Sequence, residues 1–129
     1  MGKSYVLDTN AAIALLNGTP EMETFLAEVG EIYLSSVVLG ELYFGAEKSN
    51  RVQENIDKVD EVAKRYPVLK TDADTAREYG QIAYVQRSKG RKIPYHDIWI
   101  AALARQHNMT LLTRDKHFDT VTGIQLESW

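Results

Sequence analysis

The sequence predicts an α/β fold, a single domain in which helices cover both faces of a five-stranded parallel sheet. Short apolar segments typical of buried strands alternate along the chain with longer segments of helical periodicity. The length of 129 residues suits one domain, and no repeat, low-complexity tract or linker interrupts it. Ligands in such folds bind at the carboxyl ends of the strands.

The first part of the chain is predicted to form one strand and two helices. The apolar run SYVLD (residues 4–8) is the strand. Thr9 or Asn10 is expected to cap the helix AAIALLN, and Gly18 to end it. A second helix, PEMETFLAEVG, begins at Pro20 and carries an apolar stripe.

The middle of the chain is predicted to form two strands around two helices. EIYLS is the second strand, and Ser35 or Ser36 caps the helix VVLGELYFGAEK. An amphipathic helix over 49–66 stops before Pro67, and VLK (68–70) is the third strand.

The last part contains two helices and two strands. Thr71 or Asp72 caps a helix that runs to Gly90, and Pro94 begins the helix PYHDIWIAALARQHN. MTLLT (109–113) is the fourth strand and IQLES the fifth. The segment between them, RDKHFDTVTG, is a loop with room for a short turn of helix.

The composition excludes several classes of function. Without cysteine, the chain has no disulfide, thiolate metal site or thiol nucleophile, which fits a cytoplasmic location. No apolar run reaches the roughly 20 residues of a membrane helix, and the N-terminus lacks a signal-peptide core. The net charge of −3 gives no general attraction to nucleic acid, so a polyanion would need a basic patch or bound metal ions.

Four acidic residues are expected to meet at the carboxyl edge of the sheet. Asp8 ends the first strand, and Asp115 follows the fourth. Glu41 lies in the second turn of the helix after the second strand, and Asp97 in the first turn of the helix begun by Pro94. Carboxylates this close repel one another, and divalent cations relieve the repulsion. Oxygen ligands suit Mg²⁺ or Mn²⁺, which activate water and stabilise a leaving oxyanion, so phosphodiester hydrolysis is the expected chemistry.

Each acid also has a simpler structural explanation. Asp8 could cap the following helix, Asp97 could face its helix dipole, and Asp115 could be a turn residue. A lone glutamate such as Glu41 is usually solvated. Apolar neighbours make solvation less favourable at Glu41, within LGELYF, and at Asp97, before IWIAALA.

Four segments, in this order, resemble a known family: YVLDTN, SSVVLGELYFGA, KIPYHDIWIAALA and LLTRDKHFD. The chain resembles the PIN domains, and specifically the VapC-type toxin ribonucleases, over nearly all of residues 1–129. The resemblance implies a three-layer PIN-like nuclease domain with sheet order 3-2-1-4-5. It also implies a Mg²⁺ or Mn²⁺ site, endonucleolytic cleavage of RNA, a cognate VapB-type antitoxin and a toxin homodimer.

The resemblance also implies roles for individual residues. Asp8 and Asp97 would touch metal directly, whereas Glu41 and Asp115 would act partly through water. The family places a hydroxyl or amide beside the first and last acids, a feature matched by Thr9, Asn10 and Thr113. Thr9 and Thr113 are candidates to orient the carboxylates, although simple capping explains them equally well.

Other residues near these acids have less certain roles. His96 stands where the family commonly has a small polar residue; it could donate to a phosphate, but packing at the helix start is preferred. His117 and Phe118 are likewise expected to pack rather than to act in chemistry. The apolar helix VVLGELYFG fits either a partner interface or the core.

A basic cluster near the acids could hold RNA phosphates. Its members are Arg87, Lys89, Arg91 and Lys92 upstream of Asp97, with Arg114 and Lys116 flanking Asp115. A solvated charge run at a helix end explains the upstream cluster as well. Tyr95, Tyr43 or Phe44 could stack on an unpaired base, but a core or interface position is preferred.

Three other functions are compatible with an α/β domain of this size. A response-receiver domain would need paired acids after the first strand, and an aspartyl-phosphate phosphatase would need Asp-x-Asp where this chain has Asp-Thr-Asn. A PIN-like module that binds RNA or regulates without cleavage is the alternative, and the presence of all four acids argues against it.

Overall fold

The sheet has five parallel strands in the order β3-β2-β1-β4-β5, as the sequence predicts. The computed structural model describes residues 3–129. The strands are β1 Ser4–Leu7, β2 Glu31–Ser35, β3 Val68–Leu69, β4 Thr110–Leu112 and β5 Gln125–Glu127. The helices are α1 Thr9–Asn17, α2 Pro20–Leu26, α3 Ser36–Glu47, α4 Val52–Arg65, α5 Ala73–Ser88 and α6 Tyr95–Gln106. A short 3-10 helix, Lys116–Thr120, precedes β5.

The strand order reverses at β1, and this reversal positions the site. The chain builds β1, β2 and β3 outward on one side, then crosses back to place β4 on the other side of β1. Because parallel crossovers are right-handed, this change of direction puts α1–α4 and α5–α6 on opposite faces. The crevice at such a reversal, outside the carboxyl ends of the strands, is where α/β sheets bind ligands.

The core is centred on the middle strand. Val6 pairs with Tyr33 of β2 on one side and with Leu111 of β4 on the other. Val6, Leu7 and Leu111 are fully buried, which is expected for strands covered on both faces. The carboxyl end of β1 is therefore held rigidly by both neighbours.

The helix caps differ from the sequence predictions in two places. Asp8, rather than Thr9 or Asn10, caps α1, because its carboxylate reaches the amide of Ala11. The second helix ends at Leu26, one turn earlier than predicted.

The remaining cap predictions are largely confirmed. Ser35 caps α3, and Asp72 caps α5 in a reciprocal box with Thr75. Gly18 follows α1 in the left-handed conformation, with its amide bonded to the carbonyls of the last turn. Among the helices that the structure describes, none combines the length and the hydrophobicity needed to cross a bilayer.

Gly18 and Gly80 offer a matched pair of substitutions. Gly18 has φ of +61°, so Gly18→Ala should lower the free energy of unfolding by about 1 kcal/mol, since a Cβ strains this conformation. Gly80 lies within α5 with no atom within 4 Å of an added Cβ, so Gly80→Ala should raise it by about 0.5–1 kcal/mol. Chemical denaturation measures both, and equal effects would contradict the capping role of Gly18.

Candidate active site

Asp8 lies at the carboxyl end of β1 and is only 3% exposed. Its Oδ1 accepts a hydrogen bond of 2.8 Å from the Ala11 amide. Its Oδ2 accepts a hydrogen bond of 2.5 Å from the hydroxyl of Thr113, which directly follows β4. Asp8 therefore caps α1 and also presents a fixed carboxylate at the strand reversal. The structural and functional interpretations of this residue are compatible.

Asp97 is held at the start of α6, in its first turn, and is 7% exposed. The residues that follow it, Ile98 and Ile100, are buried in the core and fix the helix against the sheet. His117 Nε2 lies 2.7 Å from Asp97 Oδ2, and His96 Nε2 lies 3.4 Å from Asp97 Oδ1. Both oxygens of this carboxylate thus face an imidazole.

Asp115 is connected to Asp8 through one hydroxyl. The amide of Asp115 donates a 2.9 Å hydrogen bond to Thr113 Oγ1, the same oxygen that donates to Asp8. Asp115 Oδ1 accepts from the His117 amide at 3.2 Å and so caps the 3-10 helix. The geometry supports the prediction that Thr113 orients acidic side chains.

Glu41 lies farther from the other acids. It lies on α3 with its side chain 40% exposed, and its Oε1 is 3.9 Å from His96 Nδ1. His96 in turn contacts Asp97, so an imidazole connects Glu41 to the other acids. His96 was expected to pack at the helix start, and the structure instead places it between two carboxylates.

The electrostatics of the cluster disfavour the charge on Asp8. Burial raises the pKa of the Asp8 carboxyl above its ordinary value, and the neighbouring Asp97 and Asp115 charges raise it further. The hydrogen bonds from Thr113 and Ala11 lower this pKa but only in part oppose the rise. A bound cation would relieve both the desolvation and the repulsion.

His117 is the site residue whose role the sequence did not indicate. It was expected to pack, and its ring does lie 4.9 Å from that of Phe118 between centroids. Yet its two nitrogens lie 2.7 Å from Asp97 and 2.9 Å from Asp115. The only feature of the sequence that indicates a site role for His117 is its position two residues after Asp115. Such a spacing of an acid and a histidine is common in loops and identifies no site.

Among the described residues, Asp97, Asp115 and His117 each offer a ligand atom within 4.8 Å of one another. Two carboxylates and an imidazole form a donor set that divalent cations accept. Asp8 lies beside this group through the Thr113 hydroxyl. The chemistry of these side chains therefore fits a divalent metal ion.

The two remaining polar candidates differ from Thr113. The Thr9 hydroxyl is buried and has no hydrogen-bond partner within the part of the chain that is described. Asn10 is exposed on α1. Neither orients a carboxylate in this structure.

The predicted basic residues border two cavities. Arg87, Arg91 and Lys92 line a cavity of about 280 Å³ beside Tyr95, whose ring is 66% exposed and lies under the Arg87 guanidinium at 5.4 Å. Lys89 is exposed nearby.

The second cavity, of about 540 Å³, includes Asp115 with Arg114 and Lys116 on its wall. Arg114 stacks on the Trp129 ring at 4.2 Å and donates to the Trp129 carbonyl. Arg114 and Lys116 thus share a cavity with Asp115, whereas Arg87, Arg91 and Lys92 lie by the start of α6, the helix that carries Asp97.

The raised pKa of Asp8 predicts how stability depends on pH. Between the ordinary aspartate pKa of about 3.9 and its raised value, the folded state binds more protons than the unfolded state. The contribution of Asp8 to stability therefore falls as pH rises through this window. Asp8→Asn removes this unfavourable charge, so in the absence of metal its Tm should gain on that of the wild type as the pH rises toward 7.5.

That gain should shrink as pH falls toward 4, which thermal melts in EDTA would measure. Asp57→Asn, at an exposed position of α4, is the matched control and should change Tm little at any pH. A loss of stability in Asp8→Asn that is the same at every pH would contradict the argument.

The comparisons with known proteins agree with this geometry. The model of the PIN domain family matches residues 5–124. Ribonuclease VapC2 of Haemophilus influenzae is 31% identical over 128 residues, covering 97% of each chain. A protein named tRNA(fMet)-specific endonuclease VapC, from Shigella flexneri, is 34% identical over 128 residues with the same coverage.

A solved structure has the same architecture. VapBC2 from Rickettsia felis, bound to a DNA fragment from their promoter, superposes with a TM-score of 0.89 at 30% identity, covering 98% of each chain. The chain belongs to the PIN domain family and, within it, to the VapC group.

Proposed function

We propose that this chain is a metal-dependent endoribonuclease and the toxin of a type II toxin–antitoxin pair, with residues 1–129 forming one PIN-like nuclease domain. The observation that carries the proposal is the convergence of Asp8, Asp97 and Asp115 at the strand reversal. The names of the relatives, a ribonuclease and a tRNA endonuclease, support RNA as the substrate.

The acids are proposed to hold the cation. Asp97 and Asp115 offer ligand atoms within 4.8 Å of each other and both contact His117, and Asp8 is connected to Asp115 through Thr113. Glu41 acts at longer range across His96. A divalent ion, Mg²⁺ or Mn²⁺, would supply activation of water and stabilisation of the departing 3′ oxygen. Thr113 holds the Asp8 carboxylate in one orientation, and no protein nucleophile is required.

The basic residues are proposed to position the RNA backbone. Arg87, Arg91 and Lys92 share one cavity, whereas Arg114 and Lys116 lie beside Asp115. Phosphate contacts of this kind fix the strand without reading its bases. Lys89 adds charge to the first group. Cleavage of cellular RNA would take place in the cytoplasm.

The partners are proposed to be a VapB-type antitoxin and a second copy of this chain. A groove of about 210 Å³ between α1, α3 and α4 has Glu41 and Leu42 on its wall. Phe44, on the same helix α3, is 61% exposed. The predicted apolar helix therefore has both a core face and an exposed aromatic, and an antitoxin covering it would block access to Glu41. The VapBC2 structure supports a complex of this type.

Cleavage of RNA by the purified protein tests the proposal. Total RNA incubated with Mn²⁺ or Mg²⁺ should yield discrete fragments, and EDTA should prevent them. Asp97→Asn should reduce cleavage at least about 100-fold with the fold retained, since it removes a charged ligand and keeps the shape. Asp57→Asn, exposed on α4 and outside both basic cavities, is the matched control and should cleave normally.

Undiminished, metal-dependent cleavage by Asp97→Asn would overturn the site assignment. RNA that binds in a gel-shift assay but stays intact would favour the alternative, a PIN-like RNA-binding or regulatory module. Growth arrest on expression, relieved by co-expression of the antitoxin, would support the toxin assignment.

A further inference from the structure

We propose that His117 supplies an imidazole nitrogen directly to the metal ion, so that the site selects a transition-metal ion such as Mn²⁺ over Mg²⁺. The inference rests on the proposed function only in requiring that the acidic cluster binds a divalent cation. It names a ligand outside the four predicted acids and a preference between the two candidate ions.

The size of the cluster fits a coordination shell that includes His117. Its ligand atoms and those of Asp97 and Asp115 lie within 4.8 Å of one another. Ligands around one ion with bonds of about 2.1 Å lie about 3.0 Å apart when adjacent and about 4.2 Å apart when opposite. His117 Nε2 lies 2.7 Å from Asp97 Oδ2, close to the adjacent value, whereas the other ring nitrogen, Nδ1, lies 2.9 Å from Asp115 Oδ1. An ion bound by Nε2 would have Asp97 as its neighbouring ligand, and Asp115 offers a third ligand atom within 4.8 Å of both.

The backbone holds His117 in this position. Asp115 caps the 3-10 helix by accepting from the His117 amide at 3.2 Å, which fixes where the side chain leaves the chain. The next residue, Phe118, is fully buried and anchors the turn in the core. The imidazole is therefore presented to the acids by a rigid segment, not by a mobile loop end.

Packing alone does not account for the orientation of the ring. The side chain is 31% exposed, so it fills no core cavity. A ring kept only for its contact with Phe118 would not need to direct both nitrogens at carboxylates. In a histidine ligand one nitrogen binds the ion and the other donates to a carboxylate; Nδ1, 2.9 Å from Asp115 Oδ1, has such a partner, which leaves Nε2 for the ion.

An imidazole ligand changes the choice of ion. Mg²⁺ prefers oxygen ligands and keeps several waters, whereas divalent transition metals accept imidazole readily. Two carboxylates with one nitrogen should therefore favour Mn²⁺ over Mg²⁺. Asp97 and Asp115 alone would offer oxygen atoms only.

His96 provides a natural control. Its Nε2 lies 3.4 Å from Asp97 and its Nδ1 3.9 Å from Glu41, both longer than the corresponding His117 distances. It is also outside the group whose ligand atoms lie within 4.8 Å. His96→Asn and His117→Asn thus remove one imidazole each from the two sides of Asp97.

Pulsed electron paramagnetic resonance of Mn²⁺ bound to the full chain, prepared without a histidine tag, tests the inference. Directly bound imidazole gives a ¹⁴N modulation of the Mn²⁺ signal. The modulation should be present in the wild type and in His96→Asn, and absent from His117→Asn. Calorimetry should show that His117→Asn weakens Mn²⁺ binding about tenfold and Mg²⁺ binding clearly less.

Several outcomes would overturn the inference. One such outcome is wild-type protein that binds no Mn²⁺ or binds it without nitrogen modulation. This result needs no variant, so it holds even if the variants fail to fold. Modulation lost only in His96→Asn would also overturn the inference, as would equal weakening of Mn²⁺ and Mg²⁺ binding. If RNA is cleaved but the Mn²⁺ signal shows no nitrogen modulation, His117 is not a ligand and the nuclease function stands. If the modulation is present but no RNA is cleaved, the nuclease function is wrong and His117 is still a metal ligand.

Discussion

The hydrogen bond between the Thr113 hydroxyl and the Asp8 carboxylate connects the ends of the two strands on which the site depends. β1 and β4 are neighbours only because the chain reverses its direction across the sheet. The same hydroxyl accepts from the Asp115 amide, so one side chain sets the separation of two acids. Asp97 reaches the group from α6, whose apolar residues pack against the sheet. The site is thus positioned by core packing and strand pairing and not by flexible loops.

The arrangement has an electrostatic cost that the fold alone does not remove. Asp8 is buried among like charges, and the raised pKa of its carboxyl expresses that cost. The Ala11 amide and Thr113 compensate in part, and His117 lies between the other two acids. Functional sites commonly retain such unfavourable groups because their chemistry requires them. A cation that binds these oxygens would both stabilise the folded state and complete the site for its chemistry.

The sequence predicted the strands and the convergence of the acids because both follow from periodicity and from the polarity of parallel sheets. It could not distinguish Asp8 as a cap from Asp8 as a site residue, since one geometry serves both. The strand order came from the family resemblance. The contact between His117 and Asp97 joins residues 20 positions apart and depends on how the 3-10 helix is placed. No local pattern reports such a contact, and the same is true of His96 beside Glu41.

The measurement that tests this account most directly is anomalous diffraction from a crystal soaked in Mn²⁺. The account predicts a peak at the strand reversal, about 2.0–2.4 Å from carboxylate oxygens of Asp97 and Asp115. Such a peak would show that the acids converge in order to hold a cation. An ordered site without a peak, or with Mn²⁺ bound only at surface carboxylates elsewhere, would contradict the central claim. The cluster would then be a structural device in which the carboxylates are held in place by contacts with histidine.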